Sequence, residues 1–199
     1  MAGDIRGEDK KREIVRQAFD RFYDGGFHAT GVDAVLSESG ISKRTLYKYF
    51  PTKDDLIEAV LDLYGQVIVG KLFDPVAASN QEPRQQIMAF FDARKAMIDE
   101  NPTRGCLGIK AAQEFVGKNA GLAAHGKRAA HYVERRFIDL CERAGLAKPA
   151  EVGKQINVLF QGALLLSQVY GDGSPFVSAK LAVAALLEAA DGPASSGRP

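Results

Sequence analysis

Apolar residues recur along almost the whole chain at a helical period, and no stretch combines strict alternation with the β-branched residues of a half-buried strand. The pattern predicts an all-α fold of about nine helices. In the first, from about Asp9 to Asp24, Ile14, Val15, Ala18, Phe19 and Phe22 fall on one stripe, and Gly25 and Gly26 stop it. A short helix from about Gly31 to Ser39 carries Val32, Val35 and Leu36, and another runs from about Ser42 to Phe50. The order is helix, turn, helix, with the connection at Ser39, Gly40 and Ile41. Pro51 ends the third helix. Thr52 with Asp55 is a cap signature for a long fourth helix through Leu56, Val60, Leu63, Tyr64, Val67, Ile68 and Leu72, which Pro75 closes.

The same spacing places helices at about Glu82 to Asp99, Leu107 to Val116, Lys127 to Ala144, Glu151 to Tyr170 and Pro175 to Ala190. The stops between them are Asn101-Pro102, Gly117 to Gly121, Pro149 and Gly171 to Gly173. Gly, Pro and Ser dominate Asp191 to Pro199, which reads as a disordered tail. The longest uncharged stretch, Gln155 to Gly171, is too short and too polar for a membrane span of about 20 apolar residues, so it reads as a buried helix.

Charge and composition narrow the function classes. The 199 residues carry 26 Lys plus Arg against 25 Asp plus Glu, so a nucleic-acid surface has to be local. Cys106 and Cys141, without a C-x-x-C, argue against a disulfide scaffold and for a reducing compartment. Met1 to Lys11 lacks the apolar core of a secretory signal, and the expected location is the cytoplasm. His28, His125 and His131 do not share the spacing of a zinc site, and neither metal nor other cofactor is expected. A small all-α enzyme is disfavoured, because no nucleophile and base, paired carboxylates or phosphate-cradling loop stands at usable spacing.

Positive charge concentrates in one place. Between Glu38 and Asp54 there is no acidic residue, while Lys43, Arg44, Lys48 and Lys53 all fall there. Lysine and arginine neutralise phosphates, and hydroxyls of Thr45, Tyr47 and Tyr49 add hydrogen bonds to phosphate oxygens from the same short helix. Leu46 and Phe50, four residues apart, turn to the core and present Lys43, Arg44, Lys48 and Tyr49 outward.

Three runs resemble the DNA-binding domain of TetR-type (TetR/AcrR) transcriptional regulators: Gly26 to Val35 (GFHATGVDAV), Ser39 to Phe50 (SGISKRTLYKYF) and Lys53 to Leu56 (KDDL). The resemblance covers residues 10 to 58 or so. It implies a homodimer, with residues 1–52 as a helix-turn-helix DNA-binding domain and 53–190 as a ligand-binding and dimerisation domain. The expected DNA-binding residues are Thr30, Lys43, Arg44, Thr45, Tyr47, Lys48, Tyr49 and Lys53. Gly31 stands where many relatives have a hydroxyl residue, so Thr30 is the alternative source of that phosphate contact. His28 reads either as a contact to the DNA backbone or as a solvated loop residue.

Arg104, Gly105 and Cys106, with Glu114 further on, resemble a pattern in the C-terminal domains of one subgroup of these regulators. Cys106 reads either as a buried thiol at a helix entrance or as a sensor of oxidants activated by Arg104 and the helix start; Cys141 reads as core. The expected ligand-binding residues are Phe90, Arg94, Met97, Phe115, His131, Phe160 and Gln161, each of which also reads as ordinary core or cover. Arg94 would pair with a ligand carboxylate or with an internal Asp or Glu. Val152 to Tyr170 and Phe176 to Leu187 carry more apolar surface than one small domain covers, which suits a four-helix interface across a two-fold axis. The expected function is a ligand-responsive repressor that leaves a near-palindromic double-stranded DNA operator when a small, largely apolar effector binds. A constitutive DNA binder, an activator and a small all-α enzyme are its rivals.

Overall fold

The computed structural model describes residues 2–37, 39–79 and 81–190, with side chains from residue 7 onward. The tail expected over Asp191 to Pro199 lies outside the described residues. The helices are α1 (Ala2–Gly25), α2 (Val32–Leu36), α3 (Lys43–Tyr49), α4 (Lys53–Ile68), α5 (Asp74–Ala77), α6 (Pro83–Glu100), α7 (Leu107–Phe115), α8 (Ala120–Arg143), α9 (Pro149–Tyr170) and α10 (Ser174–Ala189). No strand occurs among the described residues, as the helical period requires. The chain divides into two compact units: the residues up to Val67 together with Cys106–Ala129, and Ile68–Gly105 together with the chain from Ala130 onward.

The first unit grows from the stripe on α1. Ile14, Ala18 and Phe22 are fully buried with Phe27, Leu46 and Phe50, and the Phe22 and Phe27 rings lie 5.6 Å apart. Chain reversal after α1 needs Gly26, which sits at φ +83° and donates its N–H to the Phe22 carbonyl at 3.0 Å. The same core continues past residue 52 into α4. Leu56, Ile57, Val60, Leu61 and Tyr64 of α4 are buried, and Tyr64 meets Tyr23 of α1 ring to ring at 5.8 Å. The cap of α4 forms as its sequence predicts: the Asp55 amide donates to Thr52 Oγ1 at 3.1 Å and the Thr52 amide to Asp55 Oδ2 at 2.8 Å.

Helix α8 starts at Ala120, not near Lys127 as the glycines of the preceding stretch suggest. Asn119 outweighs them, because its Oδ1 accepts from the amides of Gly121 and Leu122 at 3.0 and 3.1 Å and so caps the helix. Gly126 then serves a close crossing with α7, since a Cβ there would lie 2.6 Å from the Ala112 nitrogen.

In the second unit, Pro75 does not close the fourth helix. A π turn over Val69–Phe73 leads into α5, and the Asp74 amide reaches back to the Val69 carbonyl. Pro75 then falls in the first turn of α5, where a missing N–H costs little. Phe73, Phe90, Phe91, Phe137, Phe160 and Phe176 are all buried and form a ring cluster, with centroids from 5.2 Å (Phe73 to Phe90) to 6.2 Å (Phe91 to Phe176). Helix α10 packs on α9 and α6. Gly153 lets α9 close on α8, a Cβ there falling 2.7 Å from the Ile138 Cα.

Candidate nucleic-acid interface

The turn between α2 and α3 is built from its own residues. Ser39 Oγ donates to the Leu36 carbonyl at 2.9 Å and accepts from the Ile41 amide at 3.0 Å, and Gly40 takes φ +61°. Ser42 caps α3: its Oγ accepts from the Thr45 amide at 3.1 Å and lies 2.9 Å from Thr45 Oγ1. Leu46 is buried and Phe50 closes the helix in the core, so Lys43, Arg44, Tyr47 and Lys48 all face out. Tyr47 is 43% exposed.

Lys43 Nζ lies 2.7 Å from Asp33 Oδ1, and that hydrogen bond, with the carboxylate charge, holds the ammonium above the usual lysine value. Tyr49 is half-buried, with Lys48 Nζ 5.5 Å above its ring, and Lys53 is half-buried with Nζ 5.8 Å from the Phe22 ring. Thr30 departs from expectation. It is 6% exposed, and its Oγ1 donates to the Arg21 carbonyl at 3.2 Å, so its hydroxyl closes the end of α1 instead of facing outward. Gly31, the N-cap of α2, supplies no side-chain cap.

The corner between α1 and α2 is held by α7. Lys110 Nζ donates to the Tyr23 carbonyl at 2.9 Å. Glu114 accepts from the amides of Phe27 (3.2 Å) and His28 (2.9 Å), and its Oε2 lies 3.0 Å from His28 Nδ1. His28 is thus a partner of Glu114, and its ring stacks on Phe115 at 4.8 Å. Burial pushes the Glu114 carboxyl up, but the hydrogen bonds from His28 and Phe27 outweigh it and hold the group below the ordinary glutamate value. With a depressed folded-state pKa, its contribution to stability is present above the unfolded value and is lost as the pH falls through the folded one. Two further ties join the start of α8 to α4: Asn119 Nδ2 donates to Asp54 at 2.9 Å, and His125 Nε2 lies 3.6 Å from Asp62. None of these pairs is visible in the sequence, because each joins residues far apart along the chain.

Six of the seven residues expected to line a ligand site belong to the second unit. Phe90 and Phe160 are buried in the ring cluster, Met97 is half-buried, and Gln161 Nε2 donates to Asn157 at 3.4 Å while its Oε1 is buried without a partner. Arg94 is 3% exposed, and its guanidinium donates to the Gly105 carbonyl at 2.7 Å and the Arg104 carbonyl at 3.5 Å, so backbone oxygens take the place of the expected carboxylate. His131 is on the surface, 3.8 Å from Glu134. Phe115 is not with the others: it lies in the first unit against Phe27 and His28. Cys106 is half-buried at the N-cap of α7, where its Sγ accepts from the Ile109 amide at 3.5 Å. Burial pushes the Cys141 thiol up to about 11. Among the described residues, no group of three or more His, Cys, Asp or Glu is placed to hold a metal ion, and no helix is long and apolar enough to cross a membrane.

Residues 14–60 match the family described as bacterial regulatory proteins, tetR family. The chain is 28% identical over 176 residues to the HTH-type transcriptional regulator YxaF of Bacillus subtilis, covering 85% of this chain and 90% of that protein. It is 42% identical over 52 residues to the HTH-type transcriptional regulator RutR of Escherichia coli, covering 26% of this chain and 24% of that one. In three dimensions it is similar to a TetR-family transcriptional regulator from Streptomyces coelicolor, with a TM-score of 0.85 and 21% identity over 92% of this chain and 97% of the other.

Proposed function

Since the chain belongs to the TetR family of bacterial DNA-binding transcriptional regulators, we propose that it is a cytoplasmic homodimeric repressor, released from a near-palindromic operator by a small, largely apolar effector. The observation that carries this reading is the capped helix α3, which buries Leu46 and turns Lys43, Arg44, Tyr47 and Lys48 to one exposed face. Such a face suits a major groove, with the lysines and Arg44 on base edges or phosphates and the Tyr47 hydroxyl on a phosphate. Thr45, Tyr49 and Lys53 flank it at half exposure. Residues 1–52 are then the reading head, and 53–190 the effector and dimer domain. Relatives of this kind are regulators, and no enzymatic step is assigned to the chain.

The second copy is assigned to the outer face of α9 and α10. Val158, Leu165, Val169, Val177 and Leu181 are each between 49% and 70% exposed there, on helices otherwise packed to the core. TetR-family regulators bind DNA as dimers, and two recognition helices must meet half-sites roughly 34 to 36 Å apart or a multiple of that. The effector is assigned to the second unit, where aromatic rings offer an apolar lining and the unsatisfied Gln161 Oε1 offers an acceptor.

Sequencing the genomic fragments retained by the protein tests the DNA reading first. On the recovered operator, Lys43→Ala, Arg44→Ala and Lys48→Ala each lower affinity by about 1 to 3 kcal/mol where the side chain reads a base. Unchanged binding across all three overturns the site. Leu165→Glu and Leu181→Glu make the protein monomeric in sedimentation, and dimers in both variants overturn the interface. An effector lowers operator affinity by about 5 to 150-fold, and the operator lowers effector affinity by the same factor. An effector that binds equally well to DNA-saturated protein returns the constitutive binder.

A further inference from the structure

We infer that Glu114, seconded by Lys110, is a positioning residue for DNA recognition: this α7 pair sets the α1–α2 corner and so the direction in which α2 supports α3. The inference rests on the DNA-binding reading above. Both side chains act on backbone, which makes them direction-setting contacts. Lys110 meets the Tyr23 carbonyl in the last turn of α1, where the helix end is negative and favours a cation. Glu114 gathers the next two amides of interest, Phe27 and His28, and the His28 ring as well. The fit is close, because a Cβ on Gly26 would fall 3.2 Å from Glu114 Oε1. From the same helix, Phe115 packs on Phe27 at 5.7 Å and on His28 at 4.8 Å, so polar and aromatic contacts grip one corner together.

Helix α2 depends on that corner. It has five residues, its N-cap is a glycine without a side-chain bond, and a helix this short has no independent stability. Its direction is set by its packing on α1 with Val35 buried, by the corner before it and by the Ser39 turn after it. Asp33, the partner of Lys43, stands on α2, and α2 packs against α3. Freeing Phe27 and His28 therefore lets α2 turn and carries the Asp33–Lys43 pair with it, which misplaces the exposed face of α3.

The test uses the full chain and duplexes selected by the wild-type protein from a random-sequence library. Affinity is measured on the selected duplex and on a scrambled duplex of equal length at one salt concentration, for wild type, Glu114→Ala, Glu114→Gln and Lys110→Met. Glu114→Ala lowers the ratio of the two affinities by about tenfold, the worth of roughly one base contact, and the other two by about threefold. Amide exchange at Phe27 and His28 rises in both Glu114 variants. A role in stability alone reduces the folded fraction and scales both affinities together, leaving the ratio unchanged. A ratio within about twofold of wild type in Glu114→Gln and Lys110→Met overturns the inference even if Glu114→Ala does not fold, while a wild-type protein that selects no sequence overturns the DNA reading itself.

Discussion

Both compact units close on an apolar core and both carry polar ties between distant segments, Lys180 to Asp92 at 2.6 Å among those of the second, but the ties and the centres differ in kind. In the first, segments distant in sequence are tied by directional polar contacts: Lys110 to the Tyr23 carbonyl, Glu114 to the Phe27 and His28 amides, Asn119 to Asp54 and His125 to Asp62. In the second, the centre is six phenylalanine rings, and Arg94, the buried charged side chain among the described residues, is spent on the carbonyls of Arg104 and Gly105. Hydrogen bonds weaken steeply when misaligned, so the first arrangement fixes the direction of the α1–α2 corner. Ring contacts each add about 0.5 to 1.5 kcal/mol beyond the area they bury, so the second centre is stabilised by packing.

The comparison is open to attack, most strongly at the rings. Phe91 is fully buried and meets Phe137, Phe160 and Phe176, so Phe91→Ala lowers stability by about 3 to 5 kcal/mol, read as the midpoint of urea unfolding. A loss smaller than that of a single polar tie in the first unit breaks the comparison. The cysteines offer the next contrast, one in each unit. With its pKa at about 11, Cys141 is ionised to roughly one part in a thousand at pH 8. Iodoacetamide then labels half-buried Cys106 in the folded protein and Cys141 only on denaturation; mass spectrometry showing equal rates would mean that the second unit opens readily. The smallest effect belongs to Asn119→Ala, which removes the α8 cap and the Asp54 bond for about 1 kcal/mol in the same urea experiment.

Much of this was legible beforehand. The 3.6-residue stripe on α1, the Thr52–Asp55 cap and the turn residues Ser39 and Gly40 act on neighbours within a few positions, so local rules find them. Leu46 and Phe50 settle which face of α3 is left for Lys43, Arg44, Tyr47 and Lys48. Local rules fail where the deciding partner is distant. Pro75 reads as a stop, yet a π turn lets the chain wind past it. Gly117 to Gly121 reads as a break with the next helix near Lys127, yet Asn119 caps a helix that starts at Ala120, and α7 needs the bare backbone of Gly126. Thr30 looks like a phosphate contact until Arg21 takes its hydroxyl, and Phe115 looks like ligand lining until Phe27 and His28 cover it.

By itself, then, the sequence determined the helical class, most helix limits and the exposed basic face of α3, because periodicity, caps and side-chain charge are properties of short stretches. Only the tertiary structure decided that α7 and the start of α8 join the N-terminal helices, and that Lys110 and Glu114 hold a corner some 86 or 87 residues away. Those bonds end on backbone amides and carbonyls, which every residue carries alike, so no side-chain pattern announces which of them will be used.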